Sequence, residues 1–196
     1  LAEVTVVKKL RVAILSTGDE LVDPGTPLEP GQIYNTNRFT LLALAAEAGC
    51  EVVLCETLRD NRTVTQETLE RAAAQADLII TSGGVSVGEE DHVRAVLEES
   101  GELSLWRLAI KPGKPLAFGS IKGTPVLGLP GNPATVLVTF LVVGMPYIRT
   151  CQGRLRIHPV GQQVPAAFNV TSPSVRREFI RARIESFDGE TQISAY

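Results

Sequence analysis

The stretch Asp77-Leu-Ile-Ile-Thr-Ser-Gly-Gly-Val-Ser-Val-Gly-Glu-Glu-Asp91 decides the fold, because it predicts a buried strand, a glycine-rich loop and a helix start in that order. Residues 78–81 are apolar or β-branched, as expected of a strand that is covered on both faces. Gly83 and Gly84 let the chain turn sharply and let backbone N–H groups approach a ligand. A helix predicted to open at Glu89, beside serine hydroxyls, is a place to hold a phosphate. The structural alternative is a tight strand–helix turn with an ordinary acidic first turn.

Length and composition describe a globular protein without the signature of a nucleic-acid or membrane binder. The chain has 196 residues, of which 44% are hydrophobic and 21% charged, so it can bury a core without disulfides. A net charge of −3 does not attract nucleic acid or an anionic membrane. Three cysteines without a C-x-x-C pair, and two histidines, argue against a zinc site and for a reducing compartment. No run reaches the ~18 apolar residues of a membrane span and no signal peptide is visible, so we predict a cytoplasmic protein.

Strand and helix patterns alternate from residue 11 to residue 148. The predicted elements are strands at 11–15, 51–55 and 78–81, helices at 36–48, 64–75 and 89 to about 101, apolar runs at 103–110, 116–121 and 125–129, and a helix after Asn132. A capping box, Thr63-x-x-Gln66, is predicted to start the second helix, whereas Asn35 or Thr36 and Asn132 are predicted to cap the first and last helices. This order predicts an α/β fold with an open, mostly parallel sheet and helices on both faces.

The periodicity of the hydrophobic residues changes after residue 152. Residues 1–152 are predicted to form the α/β domain, while residues 153–196 lack helical periodicity and show short alternating runs. We therefore predict that residues 153–196 are the start of a small β domain that is incomplete at Tyr196.

Five polar loops flank the predicted strands, and in such a sheet ligands bind at the carboxyl ends of the strands. The loops are 16–21, Asp60-Asn61, the Gly83-Gly84 loop with Asp91, Lys111-Pro-Gly-Lys-Pro115 and Gly128-Leu-Pro-Gly-Asn-Pro-Ala-Thr135. Three of them carry carboxylates, which suit Mg²⁺, and one carries two lysines, which neutralise phosphate oxygens. Taken singly, each loop is equally compatible with a solvated turn or a capped helix start. Their shared position favours a site for phosphoryl or nucleotidyl chemistry, which depends on positioning and electrostatics.

Four motifs in this order resemble the molybdopterin molybdenumtransferase family, MoeA, which includes the E domain of gephyrin. The motifs are Ser-Thr-Gly-Asp-Glu-Leu21, Thr-Ser-Gly-Gly-Val-Ser-Val-Gly88 with Asp91, Lys-Pro-Gly-Lys-Pro115 and Gly-Leu-Pro-Gly-Asn-Pro133. The resemblance spans about residues 5–196. One motif alone would be a weak signal, since the related molybdopterin adenylyltransferases share the Gly-Gly loop and the sheet.

The resemblance implies a late step of molybdenum cofactor synthesis. Family members bind adenylylated molybdopterin and molybdate, cleave the phosphoanhydride with Mg²⁺, insert molybdenum into the dithiolene and release AMP. The resemblance also implies a homodimer of the full-length protein, whose second protomer completes the cleft, and a molybdopterin adenylyltransferase as a partner. Because nothing corresponds to two N-terminal domains of the family, we expect a fragment with little or no turnover by itself.

The resemblance also assigns roles to residues by their position in the motifs. It implies that Glu20, Asp60, Asp91, Lys111 and Lys114 are catalytic, and that Glu20 and Asp91 also bind the metal. The residues implied to bind the pterin nucleotide or molybdate are Thr17, Gly18, Asp19, Ser82, Gly83, Gly84, Ser86, Gly88, Pro130, Gly131, Asn132, Thr135 and Arg177. Two positions depart from the family pattern: Asn35 stands where aspartate is usual, and Thr135 where serine is usual.

Two other functions stay open at this point. A molybdopterin adenylyltransferase would make adenylylated molybdopterin rather than consume it, and that enzyme typically lacks the Lys-Pro-Gly-Lys-Pro loop. A binding or scaffold module of the gephyrin E-domain type would instead use the β domain and a dimer surface. The residues do not distinguish molybdenum from tungsten, whose oxyanions have nearly the same size and charge.

Overall fold

A computed structural model describes residues 2–85, 91–172, 174–187 and 190–196 of the chain. The strands are β1 (Arg11–Thr17), β2 (Leu21–Val22), β3 (Ile33–Tyr34), β4 (Glu51–Leu58), β5 (Leu78–Ser82), β6 (Glu102–Arg107), β7 (Ile110–Lys111), β8 (Pro115–Ile121), β9 (Thr124–Leu129), β10 (Arg177–Glu178), β11 (Ala182–Phe187) and β12 (Glu190–Ala195). The helices are α1 (Thr36–Glu47), α2 (Arg62–Gln75), α3 (His92–Ser100) and α4 (Pro133–Cys151), the last with a π-helical middle turn.

Six strands form one sheet in the order β4-β1-β5-β9-β8-β6. The first four run parallel, while β8 pairs antiparallel with both β9 and β6. The predicted α/β class with a mostly parallel sheet is therefore confirmed. The chain leaves β1 for β4 on one side and returns to β5 on the other, which creates a switch point at the carboxyl ends of β1 and β5.

Helices cover both faces of the sheet, as predicted. Residues of β1 alternate between the faces: Val12 and Ile14 pack in the core beside α1 and α4, whereas Ala13 and Leu15 pack beside α2 and α3. All four side chains are fully buried. Burial on both faces thus fixes the position of β1, and with it the carboxyl end of this strand.

Asparagine side chains cap three of the helices. Asn35 Oδ1 accepts from the Arg38 N–H at 3.1 Å and Asn132 Oδ1 from the Thr135 N–H at 3.2 Å, which confirms two predicted caps. The predicted capping box is wrong, because Asn61 caps α2 and its Oδ1 accepts from the Val64 N–H at 3.0 Å. The Gln66 side chain donates instead to Glu70.

Replacing Asn61 tests this corrected helix start. We expect Asn61→Ala to lower the free energy of unfolding by about 1 kcal/mol, because the Val64 N–H loses its acceptor. The matched variant Gln66→Ala removes only a partly buried i,i+4 contact and should cost about 0.3 kcal/mol. Denaturant unfolding of both variants measures the difference, and equal losses would contradict the Asn61 cap.

The third helix starts later than predicted. Asp91 lies outside α3 and caps it, since its Oδ1 accepts from the Arg94 N–H at 3.0 Å. The helix therefore begins at His92 rather than at Glu89, and residues 86–90 lie outside the described part of the chain. Asp91 is a cap at the sheet edge and not a first-turn surface acid.

The helix α4 has the length and composition of a membrane span, with 19 residues and a mean hydropathy of 1.6. Its Val136, Phe140 and Ile148 are fully buried in the core that it forms with α1 and the sheet. Packing against the sheet accounts for the apolar residues on this face of the helix, whereas Leu137 and Leu141 are exposed.

The C-terminal residues form short β ladders. β11 and β12 pair as an antiparallel hairpin, and β10 pairs in parallel with β7. The second ladder joins Arg177 to the strand that ends at Lys111, since the Phe179 N–H donates to the Lys111 carbonyl at 2.8 Å. The domain boundary at residue 153 stays a prediction.

Candidate functional site

A cavity of about 670 Å³ opens at the carboxyl ends of β1, β5 and β9. This is the switch point of the sheet, where α/β folds of this type bind ligands. The lining comprises Thr17, Gly18, Glu20, Leu21, Ile33, Tyr34, Asn35, Thr36, Asn37, Asp60, Ser82, Gly83, Gly84, Val85, Asp91, Pro115, Pro130, Gly131, Asn132 and Pro133.

The floor of the cavity is backbone at the Gly83-Gly84 loop. Both glycines have positive φ, +86° and +64°. A Cβ on Gly83 would lie 2.6 Å from the Thr17 carbonyl oxygen, and a Cβ on Gly84 would lie 2.8 Å from a Val93 methyl group. The Gly83 N–H is tied to the Leu129 carbonyl at 3.1 Å. Only glycine fits here, so the loop offers a ligand its backbone.

Asp91 is a buried acid of the cavity with a raised pKa. It is 7% exposed, and burial raises the pKa of its carboxyl group to about 7, against the opposing effects of the Arg94 N–H and charge. Its Oδ2 is buried and has no hydrogen-bond partner among the described residues. Such a carboxyl group gains from a proton or from a cation, either of which would compensate its desolvation.

Asp60 enters the cavity from the loop after β4 and is held there by Asp19. The Asp19 N–H donates to Asp60 Oδ2 at 3.3 Å, and the Asp60 N–H donates to Asp19 Oδ1 at 3.1 Å. Asp19 itself lies outside the lining. This reciprocal pair joins the loops after β1 and β4.

The lining is acidic. Glu20, Asp60 and Asp91 contribute carboxylates, and the described lining residues include no lysine or arginine. A phosphate-bearing ligand would therefore need a cation to enter. In the part of the chain that the structure describes, no three His, Cys, Asp or Glu side chains lie close enough together to hold a metal ion. Oxygens of the ligand would have to complete a metal site.

Five of the predicted site residues lie outside the lining: Asp19, Lys111, Lys114, Thr135 and Arg177. Lys111 pairs with Glu178 at 2.8 Å, while Thr135 is held by the Asn132 cap. Lys114 is exposed and precedes Pro115, which does line the cavity. Ser86 and Gly88 lie outside the described residues.

Sequence reasoning missed one wall of the cavity, formed by residues 33–37. These residues reach the site because β3 pairs in parallel with β2, with Leu21 opposite Ile33 and Val22 opposite Tyr34. The two strands are separated by a Pro- and Gly-rich loop, and each has only two residues. The available signal was the polar pair Asn35 and Asn37: we interpreted Asn35 as a helix cap and as a departure from the family pattern, and assigned no role to Asn37.

The chain is similar to known proteins in sequence and in structure. Residues 13–150 match the family model described as "Probable molybdopterin binding domain". The chain is 51% identical over 154 residues to the molybdopterin molybdenumtransferase of Haemophilus influenzae, which covers 79% of this chain and 38% of that protein. It is 41% identical over 192 residues to the protein of the same name from Nostoc sp., which covers 95% of this chain and 44% of that protein.

A solved structure extends the likeness beyond the family model. The crystal structure of the molybdopterin biosynthesis moeA protein from Pyrococcus horikosii matches with a TM-score of 0.78 and 35% identity, over 96% of this chain and 45% of that chain. The resemblance inferred from the four motifs is confirmed. The chain spans less than half the length of the curated relatives described above.

Proposed function

Because the chain belongs to the family described as probable molybdopterin binding domains, we propose that it acts in molybdenum cofactor synthesis as a molybdopterin molybdenumtransferase. The proposed reaction takes adenylylated molybdopterin and molybdate, inserts molybdenum into the dithiolene and releases AMP. Cytoplasmic location, a homodimer and a molybdopterin adenylyltransferase partner belong to the same proposal.

The observation that carries the proposal is the buried, unpartnered Oδ2 of Asp91 beside a backbone-lined glycine loop. A carboxylate without a partner suits a cation, and a loop without side chains lets phosphate oxygens approach the backbone closely. A pyrophosphate bridge accompanied by a divalent cation supplies both. Adenylylated molybdopterin has such a bridge.

The residues of the cavity fit Mg²⁺. Asp91 and Glu20 would hold the ion together with substrate phosphate oxygens, since Mg²⁺ commonly uses one or two carboxylates and keeps other ligands from substrate or water. When bound, the ion neutralises charge on the phosphoanhydride oxygens. Thr17, Gly83 and Gly84 would orient the phosphates. Asp60 would hold the loop after β4 against the loop after β1.

Lys111 and Lys114 are proposed to attract the anionic substrate, and their surroundings predict unequal effects. Lys111 is partly neutralised by Glu178, whereas Lys114 forms no ion pair with the residues that the structure describes. We expect Lys114→Met to weaken binding of adenylylated molybdopterin about tenfold and Lys111→Met about threefold, because a paired charge attracts a distant anion less. Titration at low salt measures both dissociation constants.

Lys122→Met serves as the charge-matched control. Lys122 lies in the turn between β8 and β9 and pairs with Glu70 of α2. This turn precedes β9, whereas the cavity lies at the carboxyl end of β9. Loss of Lys122 should leave the affinity unchanged. An equal loss in all three variants would mean that only the overall charge matters, which contradicts a role for Lys114.

The direction of the reaction separates the proposal from its nearest alternative. Supplied with adenylylated molybdopterin, molybdate and Mg²⁺, a molybdenumtransferase releases AMP in a molybdate-dependent reaction. Supplied with molybdopterin and ATP, an adenylyltransferase accumulates adenylylated molybdopterin and pyrophosphate. Accumulation of the adenylylated product in the second assay, without AMP release in the first, would overturn the proposal.

A further inference from the structure

Asn37 lines the cavity and carries an amide oxygen without a hydrogen-bond partner among the described residues. The residue is 8% exposed, and its Nδ2 donates to the Gly131 carbonyl at 2.7 Å. Its Oδ1 is buried and has no hydrogen-bond partner among the described residues. A buried acceptor in this state costs stability until a donor reaches it.

The orientation of this amide is fixed by its partner. The Gly131 carbonyl can only accept a hydrogen bond, so the NH₂ group must face it and Oδ1 must point elsewhere. Turning the amide over would oppose two carbonyl oxygens. The Oδ1 atom of Asn37 can therefore only accept a hydrogen bond, which excludes an ionised phosphate oxygen as the partner of this atom.

The neighbouring Asn35 shows what a purely structural asparagine looks like on the same wall. Its Oδ1 accepts from the Arg38 N–H at 3.1 Å, and its Nδ2 donates to Thr57 Oγ1 at 3.0 Å. Both ends of that amide are used within the protein. Only Asn37 keeps one end free for a ligand.

We propose that Asn37 is a specificity-determining residue whose Oδ1 accepts a hydrogen bond from an exocyclic amino group of the heterocycle bound in the cavity. This inference rests on the proposed function, because adenine and pterin, the two ring systems of the proposed substrate, each carry such an amino group. A ring with an oxo group at that position would oppose Oδ1 with a second acceptor. The site therefore selects amino over oxo heterocycles.

Two pairs of soluble probes test the selection and identify the ring. AMP and IMP differ by an amino and an oxo group on the purine, and pterin and lumazine differ in the same way on the pteridine. In calorimetric titrations of the chain, we expect the amino member of one pair to bind about tenfold more tightly than its oxo partner. The pair that shows the preference identifies the heterocycle that Asn37 contacts.

Replacing Asn37 should remove the preference for the amino probe, and this ratio can be measured even if the affinity for both probes changes. In Asn37→Ala the ratio between the two probes should fall to about twofold or less, because no acceptor remains to distinguish them. Asn37→Leu, which keeps the branch at Cγ but has no polar atom, gives the same test if the smaller side chain destabilises the fold. Asn61→Ala is the matched control, since it removes an asparagine cap outside the lining while the ratio between the probes should persist.

The outcomes separate this inference from the proposed function. Binding of the probes without an amino preference, or a preference that survives in the Asn37 variants, overturns the role of Asn37 alone. Absence of binding by all four probes contradicts both the role of Asn37 and the pterin-nucleotide cavity.

Discussion

Replacing Asp91 with asparagine should stabilise the chain above pH 7 more than at pH 4. Burial raises the folded-state pKa of Asp91 to about 7, whereas an unfolded aspartate titrates near 3.9. The folded state therefore holds the proton more tightly, so this contribution to stability is full below pH ~4 and is lost as the pH rises to ~7. The advantage of Asp91→Asn over the parent should widen by about 2–4 kcal/mol between pH 4 and pH 8.

The substitution keeps the other role of the residue, because asparagine is as good a helix cap as aspartate. Denaturant unfolding of parent and variant at several pH values gives the difference directly. Asp77→Asn is the control: Arg11 lowers the pKa of the Asp77 carboxyl group, so its titration affects stability only below pH ~4. An Asp91→Asn advantage that does not change with pH would contradict a desolvated carboxyl group at the cavity.

Replacing Gly83 with alanine should destabilise the chain strongly, because a left-handed backbone and a close backbone contact coincide at this position. The position has a φ of +86°, and a Cβ there would lie 2.6 Å from the Thr17 carbonyl oxygen. The left-handed backbone and the forced displacement of β1 together should cost about 2–5 kcal/mol. Thermal and denaturant unfolding of Gly83→Ala measure this loss.

Two other glycines separate the causes. Gly25 has a φ of +97°, and a methyl group added there would have no atom within 4 Å. Gly25→Ala should therefore lower the free energy of unfolding only by the conformational cost of about 1 kcal/mol. A Cβ on Gly131 would meet nothing closer than Gly83 Cα at 3.9 Å, so Gly131→Ala should unfold like the parent. If Gly83→Ala were no worse than Gly25→Ala, the close approach of the loop to Thr17 would be contradicted.

The parts of the fold that could be predicted were those set by local sequence. Residues 78–81 had to form a buried strand, because four apolar or β-branched residues lie between polar segments. Asn132 before Pro133 could be recognised as a helix start without tertiary information, since cap and first-turn preferences are local. The alternation of such elements then fixed a parallel sheet, and with it the edge where the loops meet.

The parts that could not be predicted depend on contacts distant in the chain. The β2–β3 ladder brings Asn37 to the cavity. The loop between these two strands has no hydrophobic periodicity from which the ladder could be predicted. The cap at Asp91 was missed because an acid before a helix resembles an acid within its first turn. Its raised pKa follows from burial by the surrounding fold, and no local pattern encodes that burial.

Calorimetric titration of the chain with adenylylated molybdopterin in the presence of Mg²⁺ tests the central claim, that this cavity binds a pterin nucleotide through Asp91. The expected result is saturable binding at one site, weakened at least about tenfold by Asp91→Asn, because the variant loses a carboxylate that would hold the cation. Saturable binding with equal affinity in both proteins, or no binding to the folded parent, would contradict the account.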